Sequence, residues 1–329
     1  MYLYIDRENI IALAQSHKNA LYNDCIKAIK KQLNVFFNFS KKELKTDDTL
    51  MNWFRLLTEG IDTTNNFTFL DEYIFPSRPI KENCISEFTA NKLCAIYLLN
   101  DENINSLKVT GAVLVGSPGE EIQVFNRLFL LQNDYDFHKD IAIGGPELTS
   151  WNDLAKYAMP ITDIVFIDSF ILVDASLIPS NLIPYLELLC SNARTAVNII
   201  LYVDFECINV DLTTLKNQIK ASIELITGHK PTFTLIRYRS RRGVDHLGEH
   251  DRTIFTNYVR IKSGDTYNYF LSDGSKYTTG RELTYNSLAK KESHNLAKKL
   301  IQDLQANIDF LKTNGESITG DKVSNFLNF

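Results

Sequence analysis

The sequence predicts an α/β protein, and three observations carry that prediction. Short runs rich in Val, Ile, Phe and Tyr recur along the chain and read as buried strands; the clearest are GAVLVG at 111–116, IVFIDSFIL at 164–172 and VNIILYVDF at 197–205. Between them lie longer stretches with apolar residues every three or four positions, such as Leu215, Ile219, Ile223 and Ile226, which read as amphipathic helices. Apolar residues make up 44% of the 329, enough for a sizeable core and too many for a disordered chain.

Taken in order, residues 2–6 predict a short buried strand and Asn9–Lys31 a helix with an apolar stripe from Ile10 to Ile29. Thr46–Leu57 predicts a second helix, with Asp47 and Asp48 near its positive end. The polar stretch 60–83 reads as loop with one short strand near Phe67–Leu70. Residues 86–99 read as a buried helix, 111–116 as a core strand and 120–131 as a helix. A short helix begins after Thr149 or Ser150, and Pro160 stops it. The domain boundary is placed there. An α/β domain covers 1–155, a second α/β domain covers 160–312, and a tail over 313–329 ends in a dozen residues expected to fray.

The second domain opens with a β-α-β-α-β run: strand 164–172, helix 182–193, strand 197–205, helix Leu212–Thr227 ended by Gly228, and strand 232–239. Strands at 253–261 and 267–272, joined by the turn KSGD, and a long helix from Thr284 to Leu311 complete it.

Composition narrows the function. The net charge of −5 provides no general field to recruit nucleic acid, so any anion site is local. The five cysteines are odd in number and form no CxxC pair, which suits free thiols in a reducing, cytoplasmic setting. The opening MYLYIDREN is charged and unlike a signal peptide, and no run of about 18 apolar residues suggests a membrane span. GSPGEE lacks the Gly-Lys-Ser/Thr of a phosphate loop, and no cofactor or metal is expected.

The segment GEHDRTIFTNYVRIKSG (248–264) places His250, Arg252, Asn257 and Gly264 at the spacing H-x-R-x4-N-x6-G. This resembles the phospholipase D superfamily motif, H-x-K-x4-D followed by x6-G-S-x-N, over roughly residues 160–310. Here Arg252 stands for Lys, Asn257 stands for Asp as in the tyrosyl-DNA phosphodiesterase branch, and Asp265 and Tyr267 replace Ser and Asn. The His-Asp-Arg wording also resembles the phospholipase-D-like C-terminal domain of MIT-domain proteins, which binds membranes without catalysis.

The resemblance implies a phospholipase-D-like fold and a catalytic His250, with Arg252 gripping phosphate and Asn257 orienting the imidazole. The chemistry is coherent. Alternate strand residues share a face, so His250 and Arg252 would aim at one anion. Imidazole is a competent nucleophile near neutral pH, and guanidinium takes two phosphate oxygens at once. The alternative is a satisfied histidine in a half-buried strand.

A basic run precedes the motif. Arg237 and Arg239 share one strand face, and Arg241 and Arg242 lie in the segment leading to His250. Such a patch suits a phosphodiester backbone, and equally a solvated edge strand guarded by charge. The family's active site needs two histidines, yet no second H-x-[KR]-x4-[DN] occurs. A symmetric homodimer or larger complex would supply the second.

In the N-terminal half, Asp6 and the pair Glu120/Glu121 follow apolar runs, faintly similar to the carboxylates of NYN/PIN-type nucleases. Acids after strands are common in any α/β fold. The expected function is a metal-independent phosphodiesterase, a nuclease with nucleic acid as partner, by analogy fitting an antiviral or mobile-element system. The rival expectation is a non-catalytic module that recognises nucleic acid, lipid phosphate or protein.

Overall fold

The computed structural model describes residues 1–15, 26, 29–30, 33–60, 67–69, 71, 96–98, 113–114, 138–238, 252–277, 282–313 and 317–329. It is an α/β protein of two units. One comprises Met1–Phe137 with Ala289–His294, and the other His138–Leu288 with Asn295–Phe329. The division thus falls at His138, not near 155–160 as the sequence suggested. The residues between belong with the second unit, because strand β6 (His138–Ala142) pairs into its sheet.

In the first unit, β1 (Tyr2–Ile5), β2 (Asn34–Phe37), β3 (Phe67–Thr68), β4 (Ile96–Leu98) and β5 (Val113–Leu114) form a parallel sheet in the order β3-β2-β1-β4-β5. Ile96–Leu98 lies inside the stretch expected to be a helix. It is a strand instead, since its β-branched and aromatic residues pair beside β1. Helix α1 (Arg7–Gln15) follows β1; α3 (Asp48–Thr58) is the predicted second helix, and before it lies α2 (Lys41–Thr46), which the sequence reading did not assign. Asp47 makes the break: its carboxylate accepts from the backbone N–H of Thr49 and of Leu50 and caps α3. Phe37, Phe39, Trp53, Phe54, Phe67 and Phe69 pack ring against ring as the core.

The second unit is built on an eight-stranded sheet in the order β13-β9-β8-β7-β10-β11-β12-β6. Strands β7 (Asp163–Ile167), β8 (Asn198–Asp204) and β9 (Thr232–Tyr238) run parallel. Helices α4 (Leu182–Cys190) and α5 (Leu212–Thr227) make the two crossovers and pack on each other, so both lie on one face. Gly228 ends α5 at φ +71°, a left-handed turn that glycine adopts without strain. Phe166 faces this layer and meets Tyr185 of α4; Trp151, from a 3-10 helix over Trp151–Tyr157, stacks at 4.1 Å on the same tyrosine.

Strands β10 (Arg252–Thr256), β11 (Val259–Ser263) and β12 (Glu282–Ser287) continue the sheet antiparallel beyond β7. Three expectations change here. The run 253–261 is a hairpin rather than one strand. It turns at Asn257–Tyr258, where the Thr256 hydroxyl accepts from the N–H of Tyr258 and of Val259. Residues 267–272 enter the sheet through no strand; Phe270 makes only an isolated bridge to Lys276. Residues 284–287 belong to β12, and the last long helix, α6, spans Lys291–Leu311.

The C-terminal residues do not fray. Ile318–Gly320 forms β13 beside β9, and Asp321 is bound by Lys216 and Lys220 of α5. Ser324 and Asn325 then reach the buried Asp163: the Ser324 hydroxyl, the Asn325 N–H and the Asn325 amide donate to its carboxylate at 2.9, 2.8 and 2.7 Å. Phe326, fully buried, meets Phe255 at 5.9 Å, on the sheet face opposite to Phe166. No helix among the described residues is long and apolar enough to cross a membrane.

Candidate functional site

Because β7, β8 and β9 are parallel, their carboxyl ends share one edge of the sheet, and antiparallel β10 begins at that edge. In open α/β sheets ligands bind at this edge. Thr253, Ile167, Tyr202 and Ile236 stand in one row across the four strands. One residue further out, Arg252, Asp168, Val203 and Arg237 form the next level.

Arg252 is half-buried, with its guanidinium carbon 5.3 Å from the ring centre of Phe170 and its Nη1 donating to the Gly264 carbonyl at 3.3 Å. Two members of the motif, twelve residues apart, therefore meet. Beneath them Asp168 is 1% exposed. Its carboxylate accepts from the Phe170 N–H at 2.9 Å, the Thr266 hydroxyl at 2.8 Å and the Tyr267 N–H at 2.9 Å. Burial pushes this carboxyl up to about 6, against the pull of those donors and of the Arg252 charge.

On the neighbouring strands, the guanidinium of Arg237 lies 5.5 Å from the ring centre of Phe205. Tyr238 stacks on Tyr202 at 4.6 Å, and its hydroxyl shares a short hydrogen bond with Ser169. Phe170 and Phe205 are 40% and 43% exposed, so each aromatic partner of an arginine also faces solvent. The Cys207 thiol is pushed up by burial and by the charges of Asp204, Glu206 and Asp168, which makes it a poor nucleophile.

The expected site residues are thus partly gathered. Arg237, Arg252 and Gly264 lie at this edge, whereas His250, Arg239, Arg241 and Arg242 fall outside the described residues. Asn257 sits at the opposite end of β10, five residues and ~17 Å of extended chain from Arg252. Its amide oxygen accepts from the N–H of Thr162 at 2.7 Å and of Asp163 at 3.2 Å, and its amide nitrogen donates to the Thr162 hydroxyl at 2.9 Å. The groups expected to orient an imidazole hold the start of β7 instead.

Three of the four arginines of the expected basic run fall outside the described residues; among those described at this edge, Arg237 and Arg252 stand with Asp204 and Glu206, with Asp168 below. In the first unit, the buried Asp6 carboxylate accepts from the N–H and side-chain amide of Asn9 and so starts α1; Glu120 and Glu121 lie outside the described residues.

Asp168, Ser169 and Phe170 escaped the sequence reading because IVFIDSFIL looked like one strand. The polar pair Asp-Ser in its middle was the available sign that the strand ends at Ile167. Among known proteins, no family model and no curated sequence matches the chain.

Proposed function

We propose that the second unit handles phosphodiesters at the carboxyl edge of β7, as a metal-independent phosphodiesterase acting on nucleic acid. The observation that carries this reading is Arg252: a guanidinium held at the ligand-binding edge of an α/β sheet, against Phe170 and the Gly264 carbonyl. His250 precedes it by two residues in the sequence. In the proposed reaction a neutral His250 attacks phosphorus, a P–N bond forms and the P–O bond to the leaving group breaks. His250 of a second copy gives the leaving oxygen its proton, then takes one from the water that cleaves the P–N bond. Arg252 offsets the charge that builds on the phosphoryl oxygens.

One observation favours a second reading. Asn257 spends its hydrogen bonds on Thr162 and Asp163, and so is not free for the orienting role the resemblance implies. That suits a module that binds phosphodiesters without cleaving them. Cleavage of DNA and RNA oligonucleotides in EDTA, with His250→Ala beside wild type, separates the two. The enzymatic reading expects EDTA-resistant cleavage and an acid-labile phosphohistidine, both lost in His250→Ala. Binding without cleavage by the wild type would establish the module instead, and activity that returns only with magnesium would refute both the site and the mechanism.

A further inference from the structure

Asp168 is neither exposed nor part of the motif, yet among the described residues it holds both segments that Arg252 meets, the turn at Phe170 and the loop after Gly264. It takes the N–H of Phe170, whose ring lies under the guanidinium. It also takes the Thr266 hydroxyl and the Tyr267 N–H, which fixes the loop that begins at Gly264, whose carbonyl receives Arg252 Nη1. Tyr267 is anchored further by its own hydroxyl, which donates to the Ile261 carbonyl at 2.9 Å. The end of β7 and the loop after β11 are thus joined through one buried carboxyl, and the arginine is clamped between them.

We infer that Asp168 is the positioning residue of an Arg252 oxyanion clamp, and that the clamp's ligand class is a tetrahedral oxyanion of the phosphodiester or sulfate type. The inference rests on the phosphodiester reading of Arg252. A side chain with one acceptor less has a concrete effect here. Loss of the carboxylate frees the 170 turn and the 264–267 loop together, and the guanidinium then samples several orientations.

The same geometry couples ligand to protonation. Among the described residues, the titratable or charged groups set about Asp168 are Arg252, Cys207, Tyr238, Tyr267 and Tyr269. Burial pushes the Asp168 carboxyl itself up to about 6. The clamp depends on the ionised carboxyl, which accepts all three donors; protonation weakens those bonds and frees the loop, so affinity falls as pH falls through 6. A residue that only supports the fold would not produce that profile.

The test is sulfate binding to the full-length chain by calorimetry between pH 5 and 8. Sulfate does not titrate in that range, and a His250→Ala background removes the histidine. Arg252→Ala should abolish binding. Asp168→Asn should weaken it about tenfold at pH 7.5, the effect of one charge-assisted hydrogen bond lost, and should flatten its pH dependence. Thr266→Val, which removes one bond from a half-buried site, should weaken it about threefold without unfolding, and it decides the matter should Asp168→Asn fail to fold. Wild-type affinity and pH profile in Asp168→Asn or Thr266→Val, with Arg252→Ala inactive, would overturn the positioning role alone. No difference between Arg252→Ala and its parent would overturn the phosphodiester reading as well.

Discussion

Asn257 is a side chain whose loss should be felt sharply. It is 1% exposed and satisfies two backbone N–H groups at the start of β7 together with the Thr162 hydroxyl. Asn257→Ala would leave those donors buried without an acceptor, at a cost of about 3 kcal/mol, measured as a shift in the urea midpoint. Arg252→Ala, at a half-exposed position, should cost under about 1 kcal/mol. A small loss for Asn257→Ala would show that water replaces the amide. This pair also marks what the motif's spacing could convey. Two residues apart on a strand means one face, the expectation for His250 and Arg252; Arg252 stands at the carboxyl edge of the sheet, and His250 lies outside the described residues. Five residues apart means the far end of β10, and nothing in the spacing says what waits there. Asp168 was hidden for a related reason, since its partners Thr266 and Tyr267 are almost a hundred residues away in sequence.

At the scale of elements, the C-terminal segment is a strap rather than a tail. It pairs with β9, crosses to Asp163 at the amino end of β7 and buries Phe326 and Leu327. Burial pushes Asp163 up to about 6, as it does Asp168, although Ser324 and Asn325 pull the other way. Both carboxyls bind their proton more tightly folded than unfolded, where aspartate titrates near 3.9. Their share of stability is therefore full below the unfolded value and is lost as pH rises through 6. Chemical unfolding should show the protein stronger at pH 5 than at pH 7.5, by on the order of 1 kcal/mol for each carboxyl, and Asp163→Asn should remove about half of that slope. A flat profile over this range would mean that neither group is desolvated as described. The strap was illegible in sequence because β13 is only Ile318–Gly320 and its pairing is long-range. β12 was legible and misread: Leu283, Tyr285 and Ser287 alternate inward, a period of two that the helical pattern from Lys291 onward obscured. The β-α-β-α-β run needed no tertiary information, because its strands are continuous apolar runs and its helices carry their own stops.

For the whole molecule, the consequence lies in where the second unit starts. Residues 138–160 carry no strong periodicity, so Pro160 looked like a boundary. Yet β6 covers the outer edge of β12 along five paired positions, and Trp151 is stacked on both Tyr185 and Tyr269. Ile141, Leu148, Trp151, Leu154 and Tyr157 are all buried. At about 2 kcal/mol each, their removal forfeits on the order of 10 kcal/mol, comparable with the whole stability of a domain, ~5–15 kcal/mol. It also bares β12 as an edge ready to pair with another chain. A fragment of residues 138–329 should therefore be monomer or dimer by size-exclusion chromatography and melt in one cooperative transition. A fragment of residues 160–329 should aggregate or lack a cooperative melt. The 3-10 helix gives the intermediate case: Trp151→Ala in the longer fragment removes the stack while keeping β6, and should lower stability by about 3–5 kcal/mol without exposing the edge. Equal melting of the two fragments would mean that β6 and the Trp151 stack decorate the second unit rather than build it. The same pair of fragments then carries the functional question to its smallest scale, because both retain Arg252 and Asp168 while only the longer one keeps the whole sheet that sets them.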